Sequence, residues 1–272
     1  MVYRVLSRTN ALKGVQEVYV VEPGYTVLAK EALKNNIKLK NLYLTDIVTI
    51  EQRALFGCTA MKSAKFPKAV LIGKEAFANC SNLKEAIFSP YLRQIGEGAF
   101  WKCKRLQKAA FPVNKNCRII PKQAFAECRS LKTMVLPKKL EEIKAEAFYK
   151  CDGLEEIILP ETLKRIESKG FYQCGFREIM LPDGLEYIGD SAFLKCKRLE
   201  YVCIPSSVHT IEKWAFHGCN ALKVLEIRHD PKYVGEWITN KNCVIRCYQG
   251  SVMETYANGY GIQTEFIRES KR

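Results

Sequence analysis

Cys103 lies in the stretch FWKCKRL, residues 100–106, between Lys102 and the pair Lys104–Arg105. Nearby cations favour a thiolate, which is both a nucleophile and a metal ligand. The chain holds twelve cysteines and three histidines, His209, His217 and His229. His217-Gly218-Cys219 places an imidazole two residues from a thiol, but no motif joins it to a third orienting group. Metal-binding cysteines come as short pairs. Cys243-x3-Cys247 is such a pair only in spacing, with both residues on one face of a strand. Neither a G-x4-G-K-[ST] nor a G-x-G-x2-G phosphate loop is present. Asn79-Cys80-Ser81 matches a glycosylation sequon by chance within a repeated motif. No catalytic residue, cofactor or metal is assigned.

The cysteines make sense once their register is written out. Residues 120–137 read IPKQAFAECRSLKTMVLP, 143–160 read IKAEAFYKCDGLEEIILP, and 188–205 read IGDSAFLKCKRLEYVCIP. The shared pattern is I-x3-A-F-x2-C-x2-L-x2-apolar-x-apolar-P. Its leading Ile falls at 50, 72, 95, 120, 143, 166, 188 and 211, and Leu28 opens a weaker ninth copy. A period of about 23 residues is that of a solenoid. Eight cysteines, Cys58, Cys80, Cys103, Cys128, Cys151, Cys174, Cys196 and Cys219, hold one register, while their neighbours change from FWKCKRL to FAECRSL and FYKCDGL. Constant sulfur beside changing charge predicts a ladder of buried free thiols, since cysteine behaves as a small hydrophobe. That argues against a thiol enzyme.

The A-F-x2-C-x2-L-x5-P pattern resembles the BspA-like class of leucine-rich repeats. The resemblance covers about 200 residues and implies a non-enzymatic, α/β-type, β-rich solenoid: a right-handed coil of about nine repeats with a concave parallel sheet. It also implies surface attachment or host-protein binding, because some family members are adhesins.

The local pattern supports the same fold. Each copy carries an alternating apolar segment, such as Leu154-x2-Ile157-x-Leu159, closed by Pro160. Such alternation reads as a strand with one buried face, and proline suits its end. Leu55, Phe77, Phe100, Phe125, Phe148, Phe171, Phe193 and Phe216 are expected to stack as an internal spine. Ala beside each leaves room for close backbone approach, with Gly170 in that role once. In the copy 166–182, one residue shorter, Phe176 takes the Leu slot. The longer step from 95 to 120 places a loop in VNKNCRII after Pro112.

Three segments follow: an N-terminal flank 1–27 with a strand in VQEVYVV, the repeats 28–228, and a C-terminal cap 229–272. The cap reads as a strand CVIRCY, a helix opened by the capping box Ser251-x2-Glu254 and stopped at Asn258-Gly259, and a last strand IQTEFI.

Apolar residues make up 47% of the chain, enough for a sizeable core. No apolar run approaches the roughly 18 residues of a spanning helix. The opening MVYRVLSRTNALKG lacks the apolar core of a secretion signal. The expectation is therefore a cytoplasmic chain or a trimmed one, with the cell surface implied only by the resemblance. A monomer is expected. The net charge of +14 is uneven: residues 1–140 hold 25 Lys and Arg against 9 Asp and Glu, while the remainder holds 18 against 20.

Two surfaces follow. Strand residues between the buried positions face the concave side. One exposed row runs through Ile87, Ala110, Val135, Ile158, Met180 and Cys203; its neighbour runs through Lys108, Thr133, Glu156, Glu178 and Tyr201. Glu156, Ile158, Glu178, Met180 and Tyr201 are the expected protein-binding residues. The competing reading of this row is strand propensity with partial cover by neighbours. Lys102, Lys104, Arg105, Lys108, Arg129 and Lys132 form a basic group beside Trp101, with Tyr149 and Tyr172 in the same register. That group suits an anionic polymer, either nucleic acid or acidic glycan; the alternative is a solvated basic face. The partner expected first is another protein.

Overall fold

The computed structural model describes residues 4–112 and 117–268. The chain is a parallel-strand β-solenoid of about 11 turns with about 23 residues per turn. The two turns beyond the nine expected come from the flanks. Val5–Leu6 pairs with Val27–Leu28, Val18–Val20 with Asn41–Tyr43, and Val244–Cys247 with Val224–Ile227, all in parallel. The loop expected after Pro112 falls on residues 113–116, outside the described residues.

Each turn contributes to two ribbons. The expected one consists of three- and four-residue strands such as Glu85–Ile87, Lys108–Ala110 and Thr133–Val135, in register. The second, not anticipated, consists of two-residue strands ending on the leading Ile, such as Glu142–Ile143, Arg165–Ile166 and Tyr187–Ile188. Between the ribbons lies the return half of the coil, where the core is built. Phe77, Phe100, Phe125, Phe148, Phe171, Phe193 and Phe216 are fully buried. Successive rings stack with centroids 5.0–5.6 Å apart. Phe176 is buried edge-on to Phe171, at 5.4 Å and 72°.

The alanine before each Phe does what its size permits. The Phe77 N–H donates to the Ala99 carbonyl, Phe100 to Ala124 and Phe125 to Ala147, each within 2.9 Å, and Phe148 to Gly170 at 2.8 Å. A large residue there would hold the coils apart. The turns flanking each spine Phe use left-handed backbone: Glu75 (φ 52°) and Asn79 (φ 60°) in one copy, Gln123 and Glu127 in another. For non-glycine residues that conformation costs about 1–2 kcal/mol each; their N–H groups, which donate to the next coil (Glu75 to Glu97, Asn79 to Trp101), offset the cost.

Helix is scarce. Arg8–Gly14, absent from the sequence reading, is capped by the Ser7 hydroxyl, which accepts from the Asn10 N–H. Val252–Tyr260 is the expected C-terminal helix. Ser251 Oγ accepts from Glu254 N–H at 3.2 Å, and Glu254 reaches back to the Gly250 N–H at 2.6 Å. It passes the expected stop at Asn258-Gly259 and ends on Gly261, whose left-handed φ of 64° closes it. Among the described residues, no helix is long and apolar enough to cross a membrane.

The long-strand ribbon is incomplete. No strand forms at 154–159, where alternation predicted one, and Glu178 makes only an isolated bridge to Tyr201. The break coincides with the corner Cys174-Gly175-Phe176, one residue shorter than in its neighbours. The Gly175 backbone there presses on the preceding coil: a Cβ would lie 2.3 Å from the Asp152 carbonyl oxygen.

Phe148→Ala removes a ring stacked on both sides and is expected to cost about 3–5 kcal/mol, read as a lower denaturant midpoint. Full retention of stability would show that the spine is not the core.

Candidate interaction surface

The sulfur chemistry suggested by FWKCKRL is absorbed by the fold. All twelve cysteines are free, and eleven are buried. The eight in register donate their S–H to a spine carbonyl of the preceding coil at 3.0–3.3 Å: Cys103 to Phe77, Cys128 to Phe100, Cys151 to Phe125 and so on. Each spine carbonyl from Leu55 to Phe193 also accepts the N–H of the cysteine in its own coil. Both lone pairs are thus satisfied inside the protein. Burial pushes the Cys103, Cys128 and Cys151 thiols well above the usual thiol range, the opposite of activation. Among the described residues, no group of three or more His, Cys, Asp or Glu is placed to hold a metal ion. His229 Nε2 lies 2.7 Å from the Val208 carbonyl, and His209 Nδ1 lies 3.0 Å from Thr210 Oγ1.

The basic group divides. Lys102 is half-buried, its Nζ 4.3 Å from the Trp101 ring centroid and 4.0 Å from Glu127 Oε1. Lys104, Arg105, Lys108, Arg129 and Lys132 are exposed. Among the described residues, none of these five has a carboxylate within ion-pair distance. Tyr149 and Tyr172, in the register of Trp101, stack on each other at 4.7 Å, so their facing sides are already occupied.

The expected protein-binding residues share the long-strand face, the one expected to be concave. Ile158 and Met180 are each 88% exposed, and Ile87 and Val135 in the same row are also open. Glu156 and Glu178 are exposed beside them. A groove of about 360 Å³ opens between 156–159 and 178–183.

Tyr201 lies at the far end, in a cluster the sequence did not reveal. Its hydroxyl donates to Glu226 Oε2 at 3.0 Å, and Glu226 also takes Arg228 Nε at 2.5 Å and Arg246 Nη1 at 3.0 Å. Arg246 bridges onward to Glu265 at 3.0 Å. Glu226 is only 2% exposed. Burial pushes its carboxyl up, but hydrogen bonds from Arg228, Arg246 and Tyr201 outweigh burial and hold it below the ordinary 4.5. Burial, then the Glu226 contact, pushes the Tyr201 phenol up to about 12. In the sequence Glu226 stands one period after Cys203, where the apolar row ends.

A stack of coils with buried sulfur and an exposed, partly apolar sheet face defines a repeat scaffold. The family model of the BspA type leucine-rich repeat region, in six copies, matches residues 17–132 and 118–245, and the chain belongs to that family. No protein of curated function matches it. Solved structures share its fold. A leucine-rich cell-surface protein from Faecalibacterium prausnitzii aligns with a TM-score of 0.58 at 20% identity, over 75% of this chain and 68% of that one. The pneumococcal vaccine antigen PcpA gives 0.57 at 18%, over 85% and 68%. A leucine-rich repeat protein from Bacteroides ovatus gives 0.55 at 19%, over 92% and 83%.

Two outcomes follow. Cys203, the one half-buried cysteine, should react first with a thiol reagent in the native protein, with Cys103 silent until unfolding; rapid native labelling of Cys103, located by mass spectrometry, would restore a reactive thiol. Because Glu226 is depressed in the folded state, its contribution to stability is present above the ordinary carboxylate value and is lost as pH falls through the lower folded value. Glu226→Gln should therefore flatten the acid limb of a stability–pH curve; an unchanged limb would mean that the cluster does not couple to folding.

Proposed function

We propose that the chain is a recognition scaffold that binds another protein through its long-strand face, centred on Glu156, Ile158, Glu178, Met180 and Tyr201. The observation that carries this reading is the near-complete exposure of Ile158 and Met180. Large apolar side chains projecting side by side from a sheet, with charged neighbours, are the composition of a contact patch. Their pairing with a groove, rather than a flat surface, gives a partner side chain somewhere to go. Attachment at a cell surface is a finer reading, supported by the likeness in fold to the Faecalibacterium cell-surface protein.

The unpaired cations Lys104, Arg105, Lys108, Arg129 and Lys132 favour a second reading, in which this rim binds an anionic polymer. The two separate by salt. Neutralising several phosphates or sulfates makes affinity fall steeply and linearly in log–log form, whereas apolar contact persists.

Ile158→Asp and Met180→Asp should each abolish capture of the partner in a pull-down with the intact chain, while Lys104→Glu with Lys132→Glu leaves it unchanged at high salt. Undiminished binding by correctly folded Ile158→Asp and Met180→Asp variants would eliminate the long-strand face as the site.

A further inference from the structure

The corner entering the long strands is joined from coil to coil by a single chain of main-chain hydrogen bonds. Lys62 N–H donates to the Lys40 carbonyl, Lys84 to Lys62, Gln107 to Lys84 and Lys132 to Gln107, at 2.7–3.1 Å. The chain resumes with Glu200 to Arg177 and Lys223 to Glu200, both at 3.0 Å. Between them the two links that would join Glu155 to Lys132 and Arg177 to Glu155 are missing among the described residues. The strand Thr133–Val135 pairs with Lys108–Ala110 and with no later segment. The peptide groups of 155–159 therefore form no ladder with the coil on either side. The return half does not share the break: Glu127 still donates to Tyr149, Phe125 to Ala147 and Phe148 to Gly170. The long-strand ribbon also parts between Ser63–Lys65 and Glu85–Ile87, but there the corner link from Lys84 to Lys62 is kept, whereas at 155–159 both the ladder and the corner links are missing among the described residues.

The opening has a definite chemistry. Its groove is lined by Glu156, Ile157, Ile158, Leu159, Met180 and Leu181. Glu155 is committed to Arg198 at 2.6 Å, a reach across the intervening coil. Glu156, Glu161, Glu178 and Asp183 surround the groove, and among the described residues none has a cation within ion-pair distance. Free main-chain donors and acceptors, two exposed apolar side chains and four uncompensated carboxylates thus meet in one place. Main-chain groups left out of a ladder can pair with another strand.

We propose that this opening binds an extended, basic segment of a partner protein, in which lysine or arginine alternates with apolar residues. The proposal rests on the reading of the long-strand face as the binding surface and adds the partner's chemistry. The segment lies along 155–159 and uses its main-chain groups. An apolar side chain enters between Ile158 and Met180, and its cations meet Glu156, Glu178, Glu161 and Asp183.

Capped peptides of about eight residues, enough for one strand, alternating valine with lysine, glutamate or serine, supply the probes, with an N-methylated lysine peptide as a fourth. Affinity for the full chain is read by fluorescence anisotropy at low salt. The lysine peptide should bind tightest, and its affinity should drop on N-methylation. Glu156→Gln with Glu178→Gln should weaken it roughly fivefold, as two exposed ion pairs allow, and Ile158→Asp should remove binding. Equal binding of the lysine, serine and glutamate peptides that is still lost in Ile158→Asp would overturn the basic partner and leave the groove standing. Lysine-peptide binding that survives Ile158→Asp would overturn both. A free chain that sediments as a dimer, dissociated by Met180→Asp, would make a second copy the occupant and equally overturn the proposal.

Discussion

The interaction on which the structure depends is the double acceptance at each spine carbonyl. In a stack of coils, every buried main-chain oxygen needs its hydrogen bonds from the same turn or the next. The Phe77 oxygen takes the Cys80 N–H of its own coil at 3.1 Å and the Cys103 S–H of the next at 3.2 Å. The side chain that supplies the second donor must be small, tolerant of full burial and able to give one weak hydrogen bond. Cysteine meets all three conditions, and its carbon and sulfur also fill space against the stacked rings. The register of eight cysteines is therefore a consequence of coil spacing. It also explains why alanine or glycine must precede each spine residue, and why left-handed backbone is tolerated at Glu75, Asn79, Gln123 and Glu127: the stack holds the peptide groups where those turns put them.

That division leaves the long-strand face lightly constrained. The return half carries the rings, the thiols and an unbroken run of main-chain links from Phe77 to Phe193. The opposite half can lose two links at 155–159 and keep its place, because neighbouring coils remain joined behind it. In repeat proteins stability is a sum over such interfaces, so a local gap on one side costs only its own ladder bonds. A scaffold built this way can change the chemistry of one face without changing the fold. The Glu226 cluster shows the same freedom at the other end, where Glu226 and Arg246 continue the row that is apolar up to Cys203 and are held by hydrogen bonds instead.

What could be read from the sequence follows from what repeats. The Phe spine, the buried thiols, Phe176 in the Leu slot and the capping box at Ser251 each have a local pattern that names a physical role. The two-residue strands ending on the leading Ile escaped because two residues are too few for alternation to register. The helix Arg8–Gly14 escaped because it lies outside the period and buries only Ala11. The break at 155–159 could not be read at all. Its segment EEIIL alternates as well as KTMVL in the preceding copy, and the nearest irregularity in the repeat, the shortened corner, lies one coil later. Pairing is a property of two segments and their spacing, and no single segment's pattern reports it. The same holds for the candidate residues: the sequence put Glu156, Ile158, Glu178 and Met180 on one face, but their meeting at an opening depends on that missing pairing.

Net charge shows the same limit in electrostatic form. A chain of +14 would be expected to repel a basic segment, yet at physiological salt a surface charge is screened beyond about 8 Å. What a ligand meets at Ile158 is set by the groups within that distance. There the carboxylates of Glu156, Glu161, Glu178 and Asp183 are uncompensated, while the cation nearest in sequence to them, Arg177, adjoins Glu155 and Arg198 in a mixed cluster. The cations Lys104, Arg105, Lys108, Arg129 and Lys132 sit earlier in the array, and among the described residues they have no carboxylate within ion-pair distance. Two uncompensated patches of opposite sign therefore share one rigid scaffold. The two adjoin where the Lys132 charge acts on Glu155, and the order of the coils fixes the order of sign along the array.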